Sequence, residues 1–200
     1  MNFPQPPRYG ALFDGISDVL FTTEQIEKRV LELGAAISRD YEGCHPLLVG
    51  VLKGVFPFMA DLIRSITIPV EVDFIAIASY NAESRRRGVV RLQKDLEQPI
   101  AGRHVIFIED VVDTGLTLNY LLRQLRSRAP ATLQVCAMFD KRSRRLINVP
   151  LHYKGFDLPD RFVVGYGLDY RELYRNLPFV GLLKAEVIRP EEGNKKESPK

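Results

Sequence analysis

Apolar residues recur every three to four positions in "TTEQIEKRVLELGAAISRDYEG", and Ile26, Val30, Leu33 and Ile37 fall on one helical face. Thr22 or Thr23 can cap this helix, with acids in its first turn. "PLLVGVL" over 46–52 is a short continuous apolar run, the mark of a buried strand. "FPFMADLIRSI" predicts a second helix with Pro57 in its first turn. "VEVDFIAIASY" over 70–80 is β-rich and partly alternating, "NAESRRRG" over 81–88 is a polar basic loop, and "GVVRLQKDL" reads as a returning strand, so 70–96 forms a hairpin-like excursion. "GRHVIFIED" is another buried strand. "TLNYLLRQLRSRA" is an amphipathic helix with Leu118, Leu121, Leu122 and Leu125 inward. "TLQVCAMFDK" and "RFVVGYGLDY" are further strands, the last carrying Asp169 near its end.

Strands alternating with helices predict an α/β fold with a mainly parallel sheet. In such sheets ligands bind at the carboxyl ends of strands, near a topological switch point. That brings 52–54, 109–117, 140–141 and 169 into one neighbourhood. Residues 1–15, rich in Pro and Gly and without a period, read as an extended or mobile arm. Residues 189–200, "RPEEGNKKESPK", read as a disordered charged tail. The folded domain is expected over 16–188.

The 200 residues suit one domain, and 46% hydrophobic with 26% charged residues is ordinary for a soluble globular protein. A formal charge of +3, from 28 basic against 25 acidic residues, is too balanced to indicate nucleic acid. Cys44 and Cys136 are far apart and belong to no metal-ligand spacing, so both read as reduced thiols. No apolar run approaches the roughly 18 residues of a membrane span. "MNFPQPPRYGALFDG" lacks the basic and apolar segments of a signal peptide. The expected location is the cytoplasm, with no membrane partner.

One stretch changes the picture. In "VIFIEDVVDTGLTL", 105–118, an apolar strand runs into Glu109 and Asp110, with Asp113 three residues on and then Thr114, Gly115 and Thr117. A strand–loop–helix unit carrying "DTGLT" offers backbone N–H groups, two hydroxyls and a helix N-terminus to a phosphate dianion. It is neither a P-loop nor a dinucleotide fingerprint, since GxxxxGK[ST] and GxGxxG are absent, which argues against an ATPase or a dehydrogenase. Carboxylates accept hydrogen bonds and bind hard cations. Two acids followed by an anion loop therefore match a phosphorylated sugar, with its hydroxyl pair some distance from its phosphate. One acid alone would read as a helix cap; three beside this loop do not.

The stretch resembles the 5-phosphoribosyl-1-pyrophosphate (PRPP) signature of type I phosphoribosyltransferases, and its "EDVVDTG" form is similar to the hypoxanthine-guanine branch. "HPLLVGVLKGVFPFMADLIRSITIPVEVDFIAIASY", "DKR" at 140–142 and "DRFVVGYGLDYRELYRNLP" at 160–178 extend the resemblance over about 16–188. It implies a central mainly parallel sheet flanked by helices, a small hood and a mobile active-site loop. It also implies an Mg²⁺-dependent transfer of the phosphoribosyl group of PRPP to a 6-oxopurine, through an oxocarbenium-like transition state.

By this resemblance Asp113, Thr114, Gly115, Leu116 and Thr117 hold the 5′-phosphate, and Glu109 and Asp110 hold the ribose hydroxyls, directly or through Mg²⁺. Asp113 is the general base near purine N7. Lys53, Gly54 and Arg175 meet pyrophosphate, and the peptide at Lys53 is often cis in the family. Lys141 donates to the purine O6, Phe162 stacks on the purine, the Val163 backbone reads its edge, and Asp169 joins Glu109 and Asp110 as a metal ligand. Ser79 and Tyr80 begin the mobile loop. Arg85, Arg86 and Arg87 depart from the small polar residues usual there, and Leu116 stands where some members have lysine. The resemblance implies a homo-dimer or homo-tetramer. A PRPP- or nucleotide-sensing regulator that binds nucleic acid, and a xanthine-preferring relative, stay open as alternatives.

Overall fold

The computed structural model describes residues 9–78 and 91–188. The expectations for Ser79, Tyr80 and the Arg85–Arg87 run, for 1–8 and for the tail 189–200 lie outside the described residues.

The elements run α1 (Ala11–Asp14), β1 (Ile16–Phe21), α2 (Thr23–Asp40), β2 (Leu47–Leu52), α3 (Phe56–Ser65), β3 (Glu71–Ala78), β4 (Arg91–Lys94), β5 (His104–Val112), α4 (Leu116–Arg126), β6 (Thr132–Asp140), β7 (Tyr153–Asp157), β8 (Val163–Val164) and β9 (Val180–Leu183), with a 3₁₀ turn at Arg142–Arg144. A six-stranded sheet has the order β4-β3-β2-β5-β6-β7. Its strands are parallel except β4, which returns antiparallel beside β3. Through α3 the chain moves from β2 outward to β3; through α4 it moves from β5 outward to β6. The switch point therefore lies between β2 and β5.

The sheet separates two cores by residue parity. Leu48, Ile106, Ile108 and Met138 pack with Ile26, Val30, Leu33 and Ile37 of α2 and Phe58, Met59 and Leu62 of α3. Leu47, Val49, Val51, Val105 and Phe107 face the other way, onto Leu118, Leu121, Leu122 and Leu125 of α4. Both predicted helical faces are thus buried. A strand covered on both sides must be apolar throughout, which is why β2 and β5 read as unbroken runs. At the start of α2, Gln25 N–H donates to the Thr22 hydroxyl at 3.3 Å and Thr22 N–H to the Gln25 side chain at 2.9 Å, a reciprocal capping box.

A second sheet, β1-β9-β8, is antiparallel and forms the hood. Ile16, Val164, Leu177, Phe179 and Leu183 make its core, with Tyr9 and Phe13 edge-on to Phe179. Two expectations change here. The last part of the segment read as an extended arm forms α1, because Leu12 and Phe13 find apolar cover on the hood. "RFVVGYGLDY" is not one strand: only Val163–Val164 pair in β8, and Gly165, Tyr166 and Gly167 then take positive φ of 100°, 48° and 94°, which no strand accommodates. The described residues contain no helix long and apolar enough to cross a membrane.

Helices α2 and α3 meet at Gly34, where a β-carbon would lie 2.7 Å from the Ser65 carbonyl oxygen. In an exposed helix interior Gly→Ala is favourable by about 1 kcal/mol. Here Gly34→Ala should instead destabilise by about 1–3 kcal/mol, because backbone cannot yield as a flexible side chain can. Denaturant unfolding of the variant beside the wild type checks the sign.

Candidate functional site

The carboxyl ends of β2 and β5 open onto a cavity of about 390 Å³ at the switch point. Lys53 and Gly54 line it from β2; Glu109, Asp110, Asp113, Thr114, Gly115 and Thr117 from β5 and its following loop; Asp169 from the hood side. A second cavity of about 350 Å³ adjoins it, with Lys141, Phe162, Val163 and Leu168 in its lining. The two share Asp110, Val111, Asp113 and Asp169 as a common wall. Leu116 and Arg175 line neither: Leu116 opens α4, and Arg175 stands behind Asp169.

The loop between β5 and α4 owes its shape to Gly115, which sits at φ 78° immediately before α4. That left-handed conformation turns the strand exit into the helix N-terminus and suits glycine. The Leu116 N–H faces the Thr114 hydroxyl at 3.4 Å.

The two carboxylates at the strand end have little solvent. Glu109 is 9% exposed, and burial, reinforced by the charge of Asp110, pushes its carboxyl well above the usual range. Burial also pushes Asp110 up to about 6; Asp169 adds to the rise, while the Val111 N–H bond (2.7 Å) and the charge of Arg175 oppose it. Gly54 packs directly on the Asp110 carboxylate, and Gly167 on the Gly54 carbonyl, so that neither position has room for a β-carbon. The Leu52–Lys53 peptide is cis.

The cationic side chains all hold acids or carbonyls. Lys53 Nζ lies 3.0 Å from Glu172, and Arg175 contacts Asp169 at 2.9 Å while donating to the Gly167 carbonyl at 2.8 Å. Lys141 Nζ donates to the Arg161 carbonyl at 3.0 Å, and burial lowers its pKa against the opposing charge of Asp113. Asp113 itself is paired with Arg144 Nε at 2.6 Å, and Arg144 also reaches Asp160 at 3.0 Å. The turn after Asp169 puts Arg171, Glu172 and Tyr174 at φ of 53°, 64° and 75°. Such conformations are costly in non-glycine residues and persist where surroundings impose them. Here the Asp169 carboxylate accepts the Glu172 N–H at 2.9 Å, and Tyr170 and Leu173 bond to each other's backbone.

Sequence reasoning missed Arg144, which stands in "DKRSRRL" beside Arg142 and Arg145 with nothing local to distinguish it. It also missed Arg161, whose carbonyl acts, and the Val111 and Leu168 walls, which look like ordinary core. Among the described residues no three His, Cys, Asp or Glu side chains converge to cage an ion. Mg²⁺ does not require a cage, since it keeps waters and bridges one or two carboxylates to phosphate. The acids on the shared wall have the oxygen chemistry for it.

A family model described as "Phosphoribosyl transferase domain" matches residues 17–171. The hypoxanthine-guanine phosphoribosyltransferase of Streptococcus agalactiae serotype V is 47% identical over 176 residues, covering 88% of this chain and 98% of the relative. That of Bacillus subtilis strain 168 is 45% identical over 172 residues, covering 86% and 96%. Among solved structures, a hypoxanthine phosphoribosyltransferase from Staphylococcus aureus matches with a TM-score of 0.87 at 41% identity, over 90% of this chain and 98% of that one.

The buried acids generate a stability prediction. A carboxyl whose folded pKa is raised binds more protons folded than unfolded, so its contribution falls as pH rises through the folded pKa. Metal-free Glu109→Gln should therefore be more stable than metal-free wild type at pH 8, by about 1–3 kcal/mol, with the difference shrinking toward pH 5. Thermal melts in a chelator across that range test it; a difference independent of pH would remove the buried charge as its cause.

Proposed function

The chain belongs to the phosphoribosyl transferase family, and from that premise we propose that it moves the 5-phosphoribosyl group of PRPP onto N9 of hypoxanthine or guanine, giving IMP or GMP and pyrophosphate. It is an enzyme of purine salvage. The observation that carries this reading is the pair of adjoining cavities with a shared acidic wall. Joining a phosphorylated sugar to a flat base needs one polar pocket, one pocket with an aromatic face, and the reacting atoms between them.

In this reading the loop Asp113–Thr117 holds the 5′-phosphate with its N–H groups and the Thr114 and Thr117 hydroxyls. Leu116 contributes backbone alone. Glu109 and Asp110 accept from the ribose hydroxyls. Phe162 stacks on the purine, the Val163 backbone reads its edge, and Lys141 donates to O6. That donor favours 6-oxopurines, because an adenine amino group would leave it unpaired. Lys53, Gly54 and Arg175 receive the pyrophosphate, with Lys53 and Arg175 exchanging Glu172 and Asp169 for it.

As the C1–oxygen bond to pyrophosphate breaks and the C1–N9 bond forms, Asp113 takes the purine proton near N7. Its Oδ1 is bound to Arg144, which leaves the second oxygen for this task. When bound at Glu109, Asp110 and Asp169, Mg²⁺ supplies charge neutralisation for the leaving pyrophosphate. Ser79 and Tyr80 belong to the loop that would exclude water from the oxocarbenium-like centre. A homo-dimer or homo-tetramer in the cytoplasm completes the reading; exposed Phe56 and Leu173, at 63% and 58%, are apolar surface of the kind self-association covers.

Purified protein incubated with PRPP, Mg²⁺ and, separately, hypoxanthine, guanine, xanthine, adenine and uracil should form nucleotide with the first two and lose activity in chelator. No product with any base, despite PRPP binding, would favour a PRPP-sensing regulator instead. Asp113→Asn should bind PRPP nearly normally and lose about 10²–10⁴ in kcat; a wild-type kcat would sink the general-base role. Lys141→Ala should narrow the kcat/KM gap between hypoxanthine and adenine, and an unchanged gap would count against its contact with O6.

A further inference from the structure

We infer that Asp140 and Arg145 are positioning residues that tie the purine pocket to the phosphate-binding loop, an inference that rests on the roles proposed above for Lys141 and Asp113–Thr117. Asp140 ends β6 and Lys141 follows it. The Asp140 carboxylate accepts from Arg145 Nε at 2.8 Å, and Arg145 Nη1 donates to the Val149 carbonyl at 2.7 Å. The Asp140 and Arg145 side chains are only 5% and 10% exposed. An ion pair so buried is a weak source of stability, because desolvation offsets much of the attraction, and uncharged residues of similar volume often pack as well. What the pair does provide is geometry.

Residues 141–149 leave β6, turn back and cross the loop after β5. Lys141 N–H donates to the Val112 carbonyl at 2.9 Å, and Arg144 N–H to the Lys141 carbonyl at 2.9 Å. The Arg144 side chain reaches Asp113. The N–H groups of Leu146 and Ile147 both donate to the Thr114 carbonyl, at 2.9 and 3.3 Å. Gly115 lies so near the Ile147 carbonyl that a β-carbon would stand 2.9 Å from it. One end of the segment thus carries the amine for purine O6. The other fixes the backbone that holds the 5′-phosphate, and the Asp140–Arg145–Val149 bonds pin the middle. Loosening that pin should displace both pockets together.

Two variants separate positioning from folding. Arg145→Lys keeps the charge beside Asp140 but loses the rigid planar fork whose Nε and Nη1 serve Asp140 and Val149. Asp140→Leu with Arg145→Met removes both charges, so that no lone buried ion is left. In whichever variant melts as a folded protein, the KM values for hypoxanthine and for PRPP should rise together, by about tenfold, whatever the accompanying change in kcat per folded molecule. Folded variants with both KM values unchanged overturn the inference, as does a rise in one KM alone, which would leave the pockets independent. A fall in total activity that matches a smaller folded fraction, with both KM values intact, also overturns it, since that is the signature of a merely structural pair. Wild-type turnover in the same series tests the underlying reading by itself.

Discussion

Two carboxylates stand within β5, directly after Val105 to Ile108, which are fully buried, and much of the site answers to them. The apolar strand supplies a rigid floor, but it holds Glu109 and Asp110 where ionisation is disfavoured. Their demand for space reaches distant segments. Gly54 has no side chain because the Asp110 carboxylate occupies its place, and Gly167 has none because the Gly54 carbonyl does. Three stretches remote in sequence are thus fitted around one carboxylate. Such a wall favours whatever brings cation or hydroxyl donors to it, so that ligand and floor complete each other.

The cations around the site are paired with acids. Lys53 holds Glu172, Arg175 holds Asp169, and Arg144 holds Asp113. The Lys53–Glu172 pair is 71% and 65% exposed, and pairs so exposed to water are worth little and part readily.

The elements that could be read from sequence are those whose partners are local or whose pattern is complete in itself. The continuous run of β5, the Leu118–Leu125 face of α4 and the Thr22 cap announce themselves within a dozen residues. β1 and β9 do not, because Ile16–Phe21 gains its meaning only from Val180–Leu183, on the far side of the chain. β7, "YKGFD", has neither alternation nor an apolar run. The valines of "RFVVGYGLDY" look like a strand, but two glycines and Tyr166 at positive φ turn the chain away. Residues of the site followed the same division. Glu109, Asp110 and Asp113 stand in a specific motif, whereas Arg144 is one arginine among several, and only the folding back of 141–149 onto Thr114 selects it.

The hood has its middle strand last. β9 lies between β1 and β8, so residues 16–21 and 163–164 have no sheet to join until Val180–Leu183 is present. The six-stranded sheet, complete by Asp157, can form earlier, since its strands all precede that point. On a ribosome, the floor of the cavity over β2 and β5 would therefore be assembled while the wall carrying Phe162 and Asp169 was still waiting for the chain's final stretch. A polypeptide cut short before Val180 would keep the floor of its site and lose the wall that stands over it.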